Sequence, residues 1–569
     1  MQIIDSANWN PVAGLSLEQN ALKAVRCVPN VLVSAGPGSG KTELLAQKAC
    51  YLLQTGICRY PQRILAISFK KDAAKTLKDR VIARCGDDVK PRFASLTFDA
   101  FAKLILDRFR SGLDPESRPN KRYEIVTDSH LSDGKNKLSF VQVMRLAAKI
   151  VTENPNVRAA IRITYPFVFL DEFQDTTGCQ YALVTACFGG CTEGLTAVGD
   201  SDQRIMVWAG ALCDVFQRFR KDYSAKQLVL SCNYRSAPRL VALQSSMRAL
   251  MNSPDVEIRV DKRWKTDDGI IKLFESADDG IEAGAIARDI AERINAGVKP
   301  DEVCVLCKMK PAEYARNLQQ QLESLGVASR VESEIQDIRN GNLASLLIEY
   351  MRYCDGPDKN TRIDDLIAAY SVGNGLFSED DSKSLEFIEQ LSSARGRLMH
   401  ILQDGTKPSR VKNFIHGIIN VFGGSKGLKR LFSVYSSEQR LEEDLRKFCE
   451  LFDESLKKSS WSLRAAISDF MGENRVPIMT VHKSKGLEYR CVYFLGLEDR
   501  AFFNFRTQAE EDRCVFFVAL SRAKEYLAFS YCNNRSSCPQ SHDSINEFFD
   551  LLKRPGMAEV VRCDGCSVV

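Results

Sequence analysis

At 569 residues the chain is too long for one hydrophobic core, and its 44% apolar and 27% charged residues are those of a soluble globular protein with several domains. The formal net charge is only +5, which excludes binding of a polyanion through a global basic field, so any nucleic-acid contact must rest on local positive charge. Nineteen scattered cysteines do not make a disulfide scaffold, and neither a basic or apolar leader in MQIIDSANWNP nor an apolar run of membrane-spanning length occurs; free thiols in a reducing cytoplasm, away from membranes, are expected.

Residues 17–28, LEQNALKAVRCV, predict a short amphipathic helix, with Gln19 placed where it can reach back toward an adenine edge. Val31-Leu32-Val33 predicts a strand that runs into Gly36-Pro37-Gly38-Ser39-Gly40-Lys41-Thr42, followed by a helical pattern. That is the context of a P-loop. Its glycines let successive backbone N–H groups converge on phosphate oxygens at the positive end of the helix. Lys41 would reach the β- and γ-phosphates of ATP, and the Thr42 hydroxyl would ligate Mg²⁺.

RILAISF (63–69) predicts the next buried strand, and a helix follows from Lys70 to about Arg84. Lys70, Lys71, Lys75 and Lys78 are spread around it, as a solvated face or as phosphate contacts, and Phe69 is available as a platform for a stacked base. ASLTFDAFAKLI places Thr97 at a strand end, where α/β sheets bind ligands. Residues 103–166 read as a mixed, helical insertion between two strands of one sheet.

Phe167-Val168-Phe169-Leu170 then runs into Asp171-Glu172, the pattern of a buried parallel strand ending in catalytic carboxylates. Asp171 would hold Mg²⁺ and Glu172 would orient and deprotonate the attacking water. LTAVGDSDQ (195–203) gives another strand, and Gln203 at its end fits a sensor of the γ-phosphate. Trp208, one of only four tryptophans, follows; core packing is its bland explanation. LVLSCNYRS (228–236) closes one sheet, and VCVLCKM begins a second α/β unit without a P-loop. From about 351 to 470 the pattern is mostly helical and charged; 477–499 returns to alternating strand and loop, and 510–533 reads as a helix followed by a closing strand. A nucleotide held between two such units would receive arginines from the second, and Arg235 and Arg522 are the candidates.

The motifs taken together resemble superfamily 1 helicases of the Rep/UvrD type. The stretches that carry the resemblance are LEQ, AGPGSGKT, AISFKKDAA, LTFDAFA, FLDEFQDT with Gln180-Tyr181, VGDSDQRIMVWAGA, NYRS, TVHKSKGLEY and EEDRCVFFVALSRAK, in family order across residues 17–535. The resemblance implies an α/β fold of two RecA-like domains, 1A and 2A, each with a mostly helical insertion. The expected boundaries are 1–102 and 167–235 for 1A, 103–166 for 1B, 236–350 and 471–569 for 2A, and 351–470 for 2B. It further implies that Gln19 and Tyr234 hold adenine, that Glu488 meets the ribose, and that Arg235 and Arg522 reach the γ-phosphate. Phe69, Thr97, Trp208, His482 and Lys485 would line a track for single-stranded DNA, along which the motor steps 3′→5′.

Four positions depart from the family pattern, Arg204 among them in place of a small polar residue. Asp99 stands in place of histidine in a DNA-facing motif, Met206 in place of an aromatic residue, and Ala209 in place of an arginine that couples ATP to DNA, with Arg204 as a compensating candidate. The short insertions resemble those of compact helicase subunits in anti-phage systems such as Gabija, which associate with an OLD-family-like nuclease. Two functions follow as alternatives: an ATP-driven translocase on single-stranded or tailed DNA, or a DNA-sensing regulatory ATPase that gates a nuclease and unwinds little. A P-loop kinase would leave Arg522, Glu488 and LDEFQDT without roles.

Overall fold

The computed structural model describes residues 3–563 except 127–128, 254–255, 333, 357–360, 377–381, 405–408, 433–434 and 436–437. They form two compact units. The larger holds everything up to Pro119, Ser139–Val331 and the chain from Val476 onward; the smaller holds Asn120–Leu138 and Glu332–Arg475.

The larger unit is built on two mainly parallel sheets, so the expected α/β class is borne out. The first contains β1 (Val31–Ala35), β2 (Ile64–Ser68) and β3 (Phe93–Thr97). A short ribbon, β4 (Glu124–Val126) with β5 (Lys137–Ser139), precedes β6 (Phe167–Leu170), β7 (Leu195–Gly199) and β8 (Lys226–Leu230). The order is β3-β2-β6-β7-β1-β8, with Val31 opposite Thr196 and Val168 opposite Leu195. Every residue of β2, β6 and β7 is buried, and the three strands are accordingly almost wholly apolar, with only Ser68 and Thr196 as hydroxyl side chains among them. Because β6, β7 and β1 are parallel neighbours, the P-loop, Asp171-Glu172 and Asp200–Gln203 all leave the sheet at one edge.

The linker pairs β9 (Cys232–Asn233) with β10 (Arg259–Val260). The second sheet then collects β11 (Ile270–Asp278), β12 (Val303–Cys307), β13 (Ser329–Val331), β14 (Val476–Thr480), β15 (Tyr489–Phe494), β16 (Ala523–Arg535) and β18 (Glu559–Cys563), with β17 (Cys538–Pro539) folded back on β16. Its order is β13-β14-β12-β15-β16-β11-β18. Ser329 lies opposite Val476, so the whole helical insertion leaves and re-enters at one sheet edge.

That insertion begins at Glu332, upstream of the expected residue 351. The helix Asn342–Asp355 puts Leu347, Tyr350 and Met351 into the core of the smaller unit, together with Phe414, Ile418, Phe448 and Phe452. The earlier insertion divides as well. Its flanking helices stay with the larger unit, and only residues 120–138 separate from it.

Helices α1 (Gln19–Arg26), α2 (Lys41–Gln54) and α3 (Lys71–Cys85) pack around the first sheet. Here the expectation of free thiols fails at one pair: α2 lies beside α3, and a disulfide joins Cys50 to Cys85. The contact brings their Cα atoms to 5.8 Å, a proximity that their separation of 35 residues conceals. No helix among the described residues is long and apolar enough to cross a membrane.

Candidate active site

The P-loop turns at Gly38 and Gly40, whose φ angles of 68° and 82° lie in the left-handed region. Gly38 is required for a second reason. A Cβ there would stand 2.4 Å from Asn233 Oδ1 and 2.6 Å from Arg235 Cβ, so the NYRS segment rests directly on the loop. The Tyr234 N–H confirms the contact by donating to the Gly38 carbonyl at 2.8 Å. Lys41 Nζ donates to the carbonyls of Ala35 at 3.0 Å and Gly36 at 3.3 Å, which stations the ammonium in the mouth of the loop.

Asp171, at the end of β6, is buried, and its Oδ1 accepts the Glu172 N–H at 3.0 Å. Burial and the adjacent Glu172 push its carboxyl up, against the pull of Lys41. Glu172 behaves oppositely. Burial works to raise it, but Lys41, Lys485, a hydrogen bond from Gln174 and Arg522 outweigh burial and hold it well below the usual carboxylate range. Its backbone is left-handed, with φ 50° and ψ 44°.

Gln174, quoted within a motif but given no role from the sequence, fixes this corner. Its Nε2 donates to Glu172 at 2.6 Å while its Oε1 accepts the Asp200 N–H at 3.0 Å, tying the end of β6 to that of β7. Gly199 permits the approach, since a Cβ there would meet Gln174 Oε1 at 2.5 Å.

Gln203 and Arg522 meet across the cleft between the two sheets. Buried Gln203 donates to Asp200 Oδ2 at 2.7 Å and accepts from Arg522 Nη2 at 2.8 Å. Arg522 also donates to the Val518 and Leu487 carbonyls. Burial and the nearby Arg235 bring its guanidinium down to about 9, still charged at neutral pH. Arg235 donates to Glu488 at 2.7 Å and to the Ser521 carbonyl at 2.9 Å. Glu488, expected at a ribose, is here the shared counter-ion of Arg235 and Lys524.

Tyr234 is 38% exposed beside Gly40, and Gln19 is exposed at the first residue of α1. Its neighbour Glu18, which the sequence did not single out, fixes α1 by accepting from Ser231 N and Oγ.

Of the five residues expected on a nucleic-acid track, Trp208 is 69% exposed, which removes core packing as its explanation. Its ring meets that of half-buried His482 edge-on at 6.5 Å. Phe69 is half-buried at the end of β2, and the Thr97 hydroxyl caps the helix Phe98–Phe109 by accepting from Ala100 N. Lys485 departs from expectation. Its ammonium is buried against Asp175 at 2.6 Å and the Gln203 carbonyl at 2.7 Å, so in this conformation it is withdrawn from any phosphate track. Asp175 was not foreseen because its partner lies 310 residues away.

The departures from the motif also have places. Asp99 is half-buried with its carboxyl raised by burial against the pull of Lys71. Met206 packs on the second sheet's core and Ala209 is exposed. Arg204 donates to the Cys213 carbonyl at 2.8 Å, which ties it to its own loop.

Two family models match the chain: UvrD/REP helicase N-terminal domain over residues 17–131 and 122–224, and UvrD-like helicase C-terminal domain over residues 387–534. The chain is similar to the putative ATP-dependent DNA helicase YjcD of Bacillus subtilis, at 23% identity over 92% of this chain and 80% of the relative. It is 24% identical to the ATP-dependent DNA helicase PcrA of Staphylococcus aureus over 89% of this chain and 81% of the relative. The PcrA of Staphylococcus epidermidis is 25% identical over 95% and 86%.

Proposed function

The chain belongs to the UvrD/Rep family of helicases, and from that premise we propose that it moves 3′→5′ on single-stranded DNA, driven by ATP hydrolysis in the cleft between its two sheets. It is an ATP-hydrolysing DNA helicase by kinship. The observation that supports the mechanism is the buried contact from Arg522, beside the second sheet, to Gln203, beside the first, the residue read here as a sensor of the γ-phosphate.

In this reading Tyr234 stacks on adenine and Gln19 reads its edge. Residues 36–42 cradle the phosphates, with Lys41 turning from the loop carbonyls to the β- and γ-oxygens. Thr42 and Asp171 would hold Mg²⁺, because a hydroxyl and one buried carboxylate are the oxygen donors that this hard cation takes. When bound, the ion neutralises charge developing on the phosphates. Glu172, held ionised, takes the proton of the attacking water, while Gln203, Arg235 and Arg522 meet the γ-phosphate. Glu488 must then share itself between Arg235 and the ribose. Phe69 and Trp208 stack bases, and Thr97 and His482 hold the backbone. The setting is the cytoplasm.

A regulatory, DNA-sensing ATPase working with a nuclease remains the second reading, favoured by exposed Ala209 and by Arg204 being tied to its own loop. Steady-state ATP hydrolysis with and without single-stranded DNA, followed by strand displacement on 3′- and 5′-tailed duplexes, separates the two. DNA-stimulated hydrolysis with displacement only from the 3′ tail supports the motor. Stimulation without displacement supports the switch, and displacement from the 5′ tail overturns the polarity.

A further inference from the structure

The turn after β14 is gripped from both sides. Helix Val481–Ser484 follows β14, and its last carbonyls have no partner within the helix. Lys70, at the end of β2 on the other sheet, reaches over and donates to the carbonyls of His482 and Lys485, each at 3.3 Å. Lys485 extends the opposite way, from the second sheet into the first, onto Asp175 Oδ2 and the Gln203 carbonyl. Both partners of that ion pair are buried, with side chains 5% and 2% exposed, and Asp175 Oδ1 has no hydrogen-bond partner among the described residues. A buried pair of this kind tolerates little displacement, because losing either partner strands the other charge.

We propose that Lys70 and Lys485 form a reciprocal clasp, two positioning residues through which the state of the nucleotide site is passed to the nucleic-acid track. The inference rests on the translocase reading above. At one end of the clasp, the Asp175 N–H donates to the Glu172 carbonyl at 3.0 Å, so the two acidic residues share one short turn. Gln203 contributes its side chain to Arg522 and its carbonyl to Lys485. At the other end, His482 belongs to the gripped turn and meets Trp208. A shift of the Glu172–Asp175 turn or of Gln203 therefore carries Lys485 with it, and Lys485 carries His482. Two sheets linked in both directions move together at this turn, so a displacement at either end is felt at the other.

Lys70→Met tests the clasp, with Lys70→Arg as the conservative rescue and Lys70→Gln as a second, smaller donor should the methionine variant fold poorly. Hydrogen exchange of the full chain, free of DNA and nucleotide, reads the clasp directly. Amides of residues 481–488 should exchange roughly fivefold faster in Lys70→Met and return toward the parent rate in Lys70→Arg. Parent-like exchange in Lys70→Met overturns the clasp. In the same variant, stimulation of ATP hydrolysis by oligothymidylate should fall roughly fivefold while affinity for the oligonucleotide, read by fluorescence anisotropy, holds. Unchanged stimulation overturns the coupling role, and lost affinity reassigns Lys70 to a direct phosphate contact. A parent chain whose hydrolysis ignores DNA fails the translocase reading instead, and hydrogen exchange still decides whether the clasp exists.

Discussion

At Asp171 and Glu172 two neighbouring carboxylates, one buried and one half-buried, meet different environments, and only Glu172 is ringed by several cations and a donor amide. Glu172→Gln preserves bulk and removes the base. It should bind ATP normally and lose roughly 10²-fold or more in turnover, checked by ATPase assay beside nucleotide-binding titration. Trp208→Ala should weaken single-stranded DNA binding by about 1–3 kcal/mol, the scale of one lost base stack, read by anisotropy at fixed salt. The chemistry of phosphate binding dictates residue types at fixed spacing, which is why Lys41, Thr42, Asp171 and Glu172 could be named as candidates from the string alone. Exposure cannot be read that way, so Trp208 needed the structure. Lys485 shows the opposite failure: a lysine in a DNA-facing motif looks like a phosphate ligand until Asp175, its distant counter-ion, is placed beside it.

Between elements, the P-loop and the NYRS segment rest directly on one another. Gly38→Ala would force a methyl into Asn233 and Arg235 and place a side chain at φ 68°. Asn233 Oδ1 accepts from the N–H groups of Arg235 and Ser236, so the displacement would spread to Tyr234 and Arg235. ATP affinity should drop by roughly tenfold or more and the melting temperature should fall, measured by nucleotide titration and calorimetry. On the far side of α2, Cys85→Ser opens a loop of 35 residues and should cost about 3–4 kcal/mol in the chain-entropy picture, seen as a lower denaturant midpoint that reductant reproduces in the parent. The central strands β2, β6, β7 and β12 were legible as apolar runs because each is buried along its whole length. The disulfide and the start of the helical insertion were not, since both depend on which helices pack together.

For the whole molecule, sheet order was the least legible property: β12 lies between β14 and β15, and chain order says nothing about that interleaving. What the string did reveal was that a chain of net charge +5 must concentrate its chemistry, and the structure does so at one edge of the first sheet. One residue at that edge, Glu172, sits in a left-handed backbone that costs an ordinary side chain about 1–2 kcal/mol, and it is a half-buried anion besides. Asparagine tolerates that backbone better and carries no charge. Glu172→Asn should therefore melt at or above the parent temperature while hydrolysing nothing; a clear loss of melting temperature would show that the glutamate's contacts outweigh its strain. Selection for sturdiness and selection for work pull position 172 in opposite directions, and a lineage relieved of the need to hydrolyse ATP would be free to drift toward a more durable, inert fold.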